Sequence, residues 1–310
     1  MRFARVRSGL AESYEDATVL AIDSDGATLL SSGDPDAPLF YRSAIKPFQA
    51  LAAYRTGLRL PDEHLAVTCS SHGGFPVHVA LVRQILKEHA LDEGDLLCPP
   101  SRPLSSVADT FASVRGNTRP SSVLHTCSGK HAGWLAACEE AGWDPKTYLD
   151  RDHPLQISIR NIMEELTGLD SEPAGVDACG APTLRGSVRG LATAFIRLDT
   201  DEELAPISRA VTRFGALVAD NLRADGRLSV WWTGPQKTGA EGLMAMSRGG
   251  IAIAAKSRSG RSGVAVAAVL VAAQQIGMLP PPAADALSPQ ISPPVMGHGK
   301  QVGQLELIEA

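Results

Sequence analysis

No stretch of this 310-residue chain is rich in lysine and arginine, none is apolar for long, and its cysteines form no pattern. Each absence removes a class of function. Twenty-nine basic against 34 acidic residues give a net charge of -5, so neither the phosphate backbone of nucleic acid nor an anionic membrane surface is favoured as a partner. The longest apolar run, Val264 to Ala273, is too short to span a bilayer. The opening residues lack the apolar core of a signal peptide, and the expected location is cytoplasmic. Five cysteines, Cys69, Cys98, Cys127, Cys138 and Cys179, are an odd number scattered over a large chain, unlike a disulfide framework. No internal repeat and no long linker divides the chain. With 44 % hydrophobic and 20 % charged residues it matches soluble globular proteins, and residues 1–310 are expected to form one domain of two closely packed lobes acting on a small molecule.

What is present reads as a mixture of sheet and helix. "ATVLAIDSDGATLLSSGD" predicts two strands joined at Asp25-Gly26, a pair that supplies the positive φ angles of a tight turn. A helix is expected from Ser43 to Arg55, stopping at Gly57. "HLAVTCS" reads as a buried strand, "PVHVALVRQILKEHA" as a helix, and "SSHGG", Ser70 to Gly74, as the loop between them. "SSVLHT" is predicted to be a strand leading to a helix capped by Ser128 and closed by Gly142. Asp152, Pro154 and Gly168 bound the next helix. "AGVDACGAP" predicts a short strand and a glycine-rich loop before a helix at Val188 to Leu198. Thr200 and Glu203 predict a capping box for a long helix to about Leu222, and "EGLMAMSRGGIAIAAKSRSG" two strands with Lys256 closing the second. A last helix, Gly263 to Ile276, precedes an extended proline-rich crossing and an edge strand at "KQVGQLELI". The order predicts an α+β fold: an antiparallel sheet flanked by helices, with a helical subregion in the middle of the chain.

Within "FYRSAIKPFQA", Ser43 lies three residues before Lys46, on one helix face. A serine hydroxyl becomes a nucleophile when a neutral amine takes its proton. Pro47 lacks the amide that would bond the Ser43 carbonyl, which confines Ser43 to the cap or first turn. The same tetrapeptide also describes an ordinary N-cap followed by a surface lysine. A Lys-Thr-Gly triplet at Lys237 to Gly239 partly matches the motifs of serine β-lactamases and penicillin-binding proteins; the Ser-Asp-Asn element is missing, and the triplet precedes "AEG" with no clear strand.

Two further turns, Cys127-Ser-Gly-Lys130-His131 and Asp177-Ala-Cys179-Gly-Ala-Pro182, carry residues that suit a borderline metal such as zinc, or two core cysteines. "RSAIKPFQA", "CSGKHAGWLAAC", "DHPLQ", "VDACGAP" and "KTGAEG" stand in the order found in the asparaginase II family, the rhizobial-type L-asparaginases, which the chain resembles from about Arg42 to its end. The resemblance implies a fold similar to serine β-lactamases and glutaminases, hydrolysis of L-asparagine to L-aspartate and ammonia, and a homodimer. It also implies Ser43 and Lys46 as a catalytic pair, Ser71 and Lys256 as a second one, and a zinc ion held by Cys127, Lys130 and Cys179 with Asp177 nearby.

A mechanism follows as an expectation. Lys46 takes the proton of Ser43, which attacks the side-chain amide carbon; water then cleaves the acyl-enzyme; Arg42 anchors the substrate α-carboxylate through its forked donors. Cys69, Cys98 and Cys138 are expected to pack, His131 and His153 to serve structure, and His72 to stabilise its loop, since no acid there orients it. Thr126, Phe75 and "ESYEDATV" depart from the family pattern and bear on substrate choice. Two rivals remain: a β-lactam- or peptide-active serine hydrolase, and an amino-acid-binding scaffold without turnover.

Overall fold

The computed structural model describes residues 1–219 and 223–310. Eight antiparallel strands form its main sheet: β1 (Arg2–Arg7), β2 (Leu10–Asp23), β3 (Thr28–Ser32), β4 (Gln236–Gly239), β5 (Leu243–Arg248), β6 (Ile251–Ser257), β7 (Pro294–Gly297) and β8 (Lys300–Glu309). Their order is β7-β8-β1-β2-β6-β5-β4, with β3 also paired to β2. The ends of the chain thus meet in the middle of one sheet, and the α+β class holds.

Turn chemistry sets the hairpins. Asp23 Oδ1 accepts from the amides of Asp25 at 3.0 Å and Ala27 at 2.9 Å, closing the β2–β3 turn where Gly26 takes φ +81°. Between β5 and β6, Gly249 and Gly250 both have positive φ, the requirement of a two-residue hairpin that follows the strand twist.

Side-chain alternation divides the core into two layers. On one face Leu20, Ile22, Leu243, Ala245, Ala252 and Ala254 pack against the helical subregion. On the other, Val19, Ala21, Met244, Met246, Ile253 and Ala255 pack against the last long helix, Ser262–Gln275. The subregion contains α1 (Lys46–Arg55), α2 (Asp62–Thr68), α3 (Pro76–Glu88), α4 (Ser106–Val114), α5 (Ser128–Ala141), α6 (Pro154–Thr167) and α7 (Val188–Thr200). Among the described residues no helix is long and apolar enough to cross a membrane.

One close approach positions the site. A Cβ on Gly129 would stand 2.2 Å from the Val67 carbonyl oxygen, and one on Gly133 2.4 Å from Thr68 Cγ2. Two glycines four residues apart present a bare stripe of α5, and α2 lies directly on it.

Several sequence expectations change. "HLAVTCS" is the helix α2, not a strand: its apolar run is buried against α5 and the helix Ala205–Arg213 alike, and period alone does not separate a buried helix from a buried strand. "SSVLHT" is a single 3-10 turn, Ser122–Leu124. Thr200 ends α7 instead of opening a long helix; the chain continues as short segments, Glu202–Leu204, Ala205–Arg213 and Gly215–Val218, and Leu222 lies outside the described residues. Helices Pro281–Ala286 and Ser288–Ile291 replace the extended crossing, burying Ala283 and Leu287 in the second core layer. β8 pairs on both sides and is not an edge. The first strand, β1, is absent from the sequence reading; Ser8 and Gly9, both at positive φ, turn it into β2.

Candidate active site

Pro47 shapes the start of α1. Because it has no amide to offer the Ser43 carbonyl, that carbonyl accepts from the amide of Lys46 instead, in a 3-10 turn over Arg42–Ile45. α1 proper then begins at Lys46, with Ile45 at its cap. Ser43 is therefore not an α-helix cap; it sits half-buried on the preceding turn. Arg42 adopts φ +49°, a left-handed conformation uncommon outside glycine, and its amide N–H donates a hydrogen bond to Thr183 Oγ1 at 3.2 Å.

Lys46 is 1 % exposed, Lys130 2 % and Lys237 1 %. Lysines are almost never buried to that degree without partners, and the partners define the site. Lys46 Nζ donates to the Ser70 carbonyl, to Ser71 Oγ at 3.1 Å and to Cys127 Sγ at 3.3 Å. Lys237 Nζ reaches the same Ser71 Oγ at 3.1 Å and the Thr238 carbonyl at 2.8 Å. Ser71 thus lies between two lysines, one from α1 and one from β4. Among the described residues, Ser43 Oγ has no hydrogen bond to Lys46.

The expected second lysine is corrected. Lys256 lies on β6, whose register pairs it with Leu243, which in turn pairs with Gly239; two strand spacings separate it from the β4 end by about 10 Å. Its Nζ donates to the Ser257 carbonyl at 2.5 Å, and it lines a different cavity of about 630 Å³ with Met1, Asp16, Ser32 and Asp34. Lys237 occupies the position beside Ser71. The triplet that carries it is itself a strand, and the turn at Glu241 and Gly242, both at positive φ, is the signal that marks the strand's end.

The two cysteine turns meet at Cys179. Cys127 caps α5 and Ser128 is its first residue. Asp177 and Cys179 sit on the tip of a small hairpin of Gly175–Val176 with Pro182–Thr183, closed by the Asp177 amide to the Ala181 carbonyl at 2.8 Å. Lys130 Nζ donates to Cys179 Sγ at 3.3 Å and stands 4.3 Å from the Trp134 ring centre. A hydrogen bond from the Cys179 thiol, opposed by burial and aided by the Lys46 and Lys130 ammonium groups, holds the Cys127 thiol well below its usual range. Burial works to lower Lys130, but Cys179, Cys127 and Asp177 outweigh it and raise it. Cys69, Cys98 and Cys138 are different: burial pushes each thiol up to about 12. All five cysteines are free.

Asp177 also receives Arg42, with Nε at 3.0 Å and Nη2 at 2.8 Å from the same Oδ1. Burial tends to raise the Asp177 carboxyl, yet Lys130 and Arg42 bring it below its usual value. The pair is only partly covered.

Among the described residues no three His, Cys, Asp or Glu side chains are grouped to hold a metal ion. Cys179 nevertheless meets both the Cys127 thiol and the Lys130 amine, and His131 Nε2 is buried without a hydrogen bond. That donor set, two sulfurs and a nitrogen, suits zinc.

Arg223 was not singled out from sequence. Its guanidinium donates to the Ser71 carbonyl at 2.9 Å and to Thr238 Oγ1 at 3.4 Å, clasping the serine loop to β4. No sequence signal marks it. His131 bonds Tyr148 through Nδ1 at 2.7 Å, and His153, not Asp152, caps α6.

A Ser-x-x-Lys turn, a second serine between two buried lysines and a Lys-Thr-Gly strand, set in an α+β fold, have the make-up of a hydrolase site. The description of L-asparaginase II matches residues 4–307. The chain belongs to the L-asparaginase II family, and with it to the amidohydrolases. No curated protein matches the chain. Among solved structures it is similar to Mglu, at 16 % identity and a TM-score of 0.46 over 87 % of this chain and 69 % of that one. It is similar also to Mglu in its glutamate form, at 17 % and 0.45 over 89 % and 64 %. A β-lactamase from Mycobacterium bovis matches at 13 % identity and 0.37, over 88 % of this chain and 94 % of the other.

Proposed function

We propose that the protein hydrolyses the side-chain amide of L-asparagine to L-aspartate and ammonia through an acyl-enzyme on Ser43. The observation that carries this reading is the position of Ser71 Oγ, 3.1 Å from both Lys46 and Lys237, beside the turn that bears Ser43. A nucleophile must meet its substrate. Ser43 is half-buried, whereas Ser71 is 7 % exposed, so the first suits attack and the second proton transfer.

In the proposed sequence, the amine form of Lys46 takes the Ser43 proton as Oγ attacks the amide carbon; the contact between them closes when substrate is bound, as catalytic hydrogen bonds commonly do. Ser71 passes a proton to the leaving nitrogen and is resupplied by a flanking lysine. The C–N bond breaks, ammonia leaves, and Ser43 holds the aspartyl ester. Water then adds to the ester carbon and gives its proton to the same base; the bond from that carbon to Ser43 Oγ breaks, Oγ takes the proton back from the base, and aspartate leaves. The Arg42–Asp177 pair supplies one charge for the α-carboxylate and one for the α-ammonium.

Cys127, Lys130 and Cys179 would hold zinc in this proposal. When bound, the ion supplies a fixed positive charge that polarises an oxygen at its open position. Lys130 must give up its proton to become a ligand, so acid opposes loading. A homodimer belongs to the same proposal and is read by sedimentation velocity.

The test is ammonia release from asparagine and glutamine by the wild type and by Ser43→Ala. Release that persists in Ser43→Ala, or none from the wild type, sinks the reading. One observation favours a second reading: Lys-Thr-Gly as an actual strand beside Ser-x-x-Lys is shared with β-lactam-active enzymes. Turnover of a chromogenic β-lactam without ammonia release from asparagine would select it.

A further inference from the structure

The strongest buried group without a role in the mechanism is His72, which is 0 % exposed. We infer that His72 is a positioning residue: as a neutral imidazole with its proton on Nε2, it ties the loop that carries Ser71 to the turn that carries Cys127.

Hydrogen-bond accounting fixes the proton. Ser128 Oγ donates its only hydrogen to the Val123 carbonyl at 2.8 Å, because a carbonyl can only accept. The 2.9 Å contact between Ser128 Oγ and His72 Nε2 must then be donated by the imidazole. On the other side of the ring the Gly74 amide donates to Nδ1 at 3.2 Å, so Nδ1 carries a lone pair. A second ring proton would point at that N–H. Both nitrogens are satisfied in one tautomer and one charge state.

The surroundings agree. Burial pushes His72 well below the usual histidine range, and His78, Lys46 and His125 add to the effect. These are the charged or titratable groups that face it; His78 stacks on the ring at 5.1 Å, from α3.

The bond network has a geometric consequence. The His72 amide donates to the Thr126 carbonyl at 3.1 Å, and the Ser71 amide to the Val218 carbonyl at 2.9 Å. With the ring bond to Ser128, the serine loop is joined to residues 126 and 128, on either side of Cys127. Lys46 touches both Ser71 Oγ and Cys127 Sγ, so the tie sets two of its distances together. Displacement of a reacting group by about 1 Å costs on the order of 100-fold in rate.

The kinetic part rests on the amidohydrolase reading; the tautomer does not. In the full-length protein labelled with ¹⁵N-histidine, the expected spectrum of His72 is a neutral Nε2–H ring that does not titrate between about pH 5.5 and 8, a range in which a free histidine does. His72→Leu and Ser128→Ala are each expected to lower kcat about 10- to 100-fold with KM within about twofold, and the double variant to be no slower than the slower single one. His72→Gln, which keeps a donor near Nε2, recovers most of the loss. Additive losses, a KM effect alone, or an Nδ1–H or titrating ring overturns the tie. If His72→Leu does not fold, Ser128→Ala, His72→Gln and the spectrum decide. The expected spectrum in a protein that releases no ammonia overturns the amidase reading and leaves the tie; a titrating His72 in an active enzyme does the reverse.

Discussion

Replacing Lys237 and Lys256 by methionine, one at a time, separates the lysine the structure brings to Ser71 from the lysine the family resemblance named. Lys237 Nζ lies 3.1 Å from Ser71 Oγ, and a hydrogen bond to a charged group contributes about 1.5–3 kcal/mol. At about 1.4 kcal/mol per decade, losing it from the transition state alone lowers kcat/KM roughly 10- to 150-fold. A part in proton transfer extends the loss to about 10²–10⁴. Methionine keeps the length and apolar stem of the lysine, so folding should survive: one kcal/mol moves Tm by about 2 °C in a chain of this size, and a change of more than a few degrees is not expected. Lys256 faces a separate cavity and donates to the Ser257 carbonyl at 2.5 Å, so Lys256→Met should keep kcat/KM within about twofold. Ammonia release at subsaturating asparagine, with Tm measured on the same preparations, provides both readouts. Equal activity in Lys237→Met and the wild type, or a Lys256→Met as impaired as Lys237→Met, would refute the assignment.

Gly129→Ala should lower Tm despite alanine's better helix propensity of about 1 kcal/mol, because its Cβ meets the Val67 carbonyl oxygen at 2.2 Å and overpacking costs about 1–3 kcal/mol or more; calorimetry showing a higher Tm would contradict the close α2–α5 seam. Protein purified without chelator is expected to contain about one zinc per chain and Cys127→Ser almost none, as measured by elemental analysis; unchanged content in the variant removes that site. His72, His125 and His131 are all held below the ordinary histidine value, chiefly by burial, His131 at about 4. The unfolded chain therefore binds more protons than the folded one below about pH 6.5, and stability should fall as pH drops from there toward 4. His131 alone accounts for roughly 3 kcal/mol at about 1.4 kcal/mol per pH unit, and denaturant midpoints that stay constant from pH 7 to 4.5 would show those rings to be charged in the folded state.

Sequence legibility followed the physics of each segment. The Asp25-Gly26 hairpin and the β5–β6 pair were readable because turn residues with positive φ punctuate alternating apolar residues. α2 was not, since a seven-residue helix whose last five residues, His64 to Thr68, are all buried shows neither period. For the site, Ser43, Lys46, Ser71, Cys127, Lys130, Cys179, Arg42 and Asp177 were named from motifs and family likeness, and the fold gathers them in one region. Two positions escaped. Lys237 stands in a triplet that only partly matches its motif, with no Ser-Asp-Asn element and a strand of four residues that ends at "AEG"; Arg223 acts through contacts made far from it in the chain, which no local pattern encodes.

The cluster draws its members from residues 42–46, 70–72, 127–130, 177–179 and 237–239, on separate helices, loops and a late strand. No contiguous fragment shorter than residues 42–239 contains it. Lys237 meets Ser71 from β4, whose one strand partner among the described residues is β5. Such contacts close very long loops and are slow to form, so a nascent or proteolysed chain that stops short of residue 237 leaves Ser71 with Lys46 as its one flanking lysine. Catalysis therefore reports on completion of the whole fold, and on heating it should vanish with the cooperative transition of the sheet, since no smaller folded unit can sustain it.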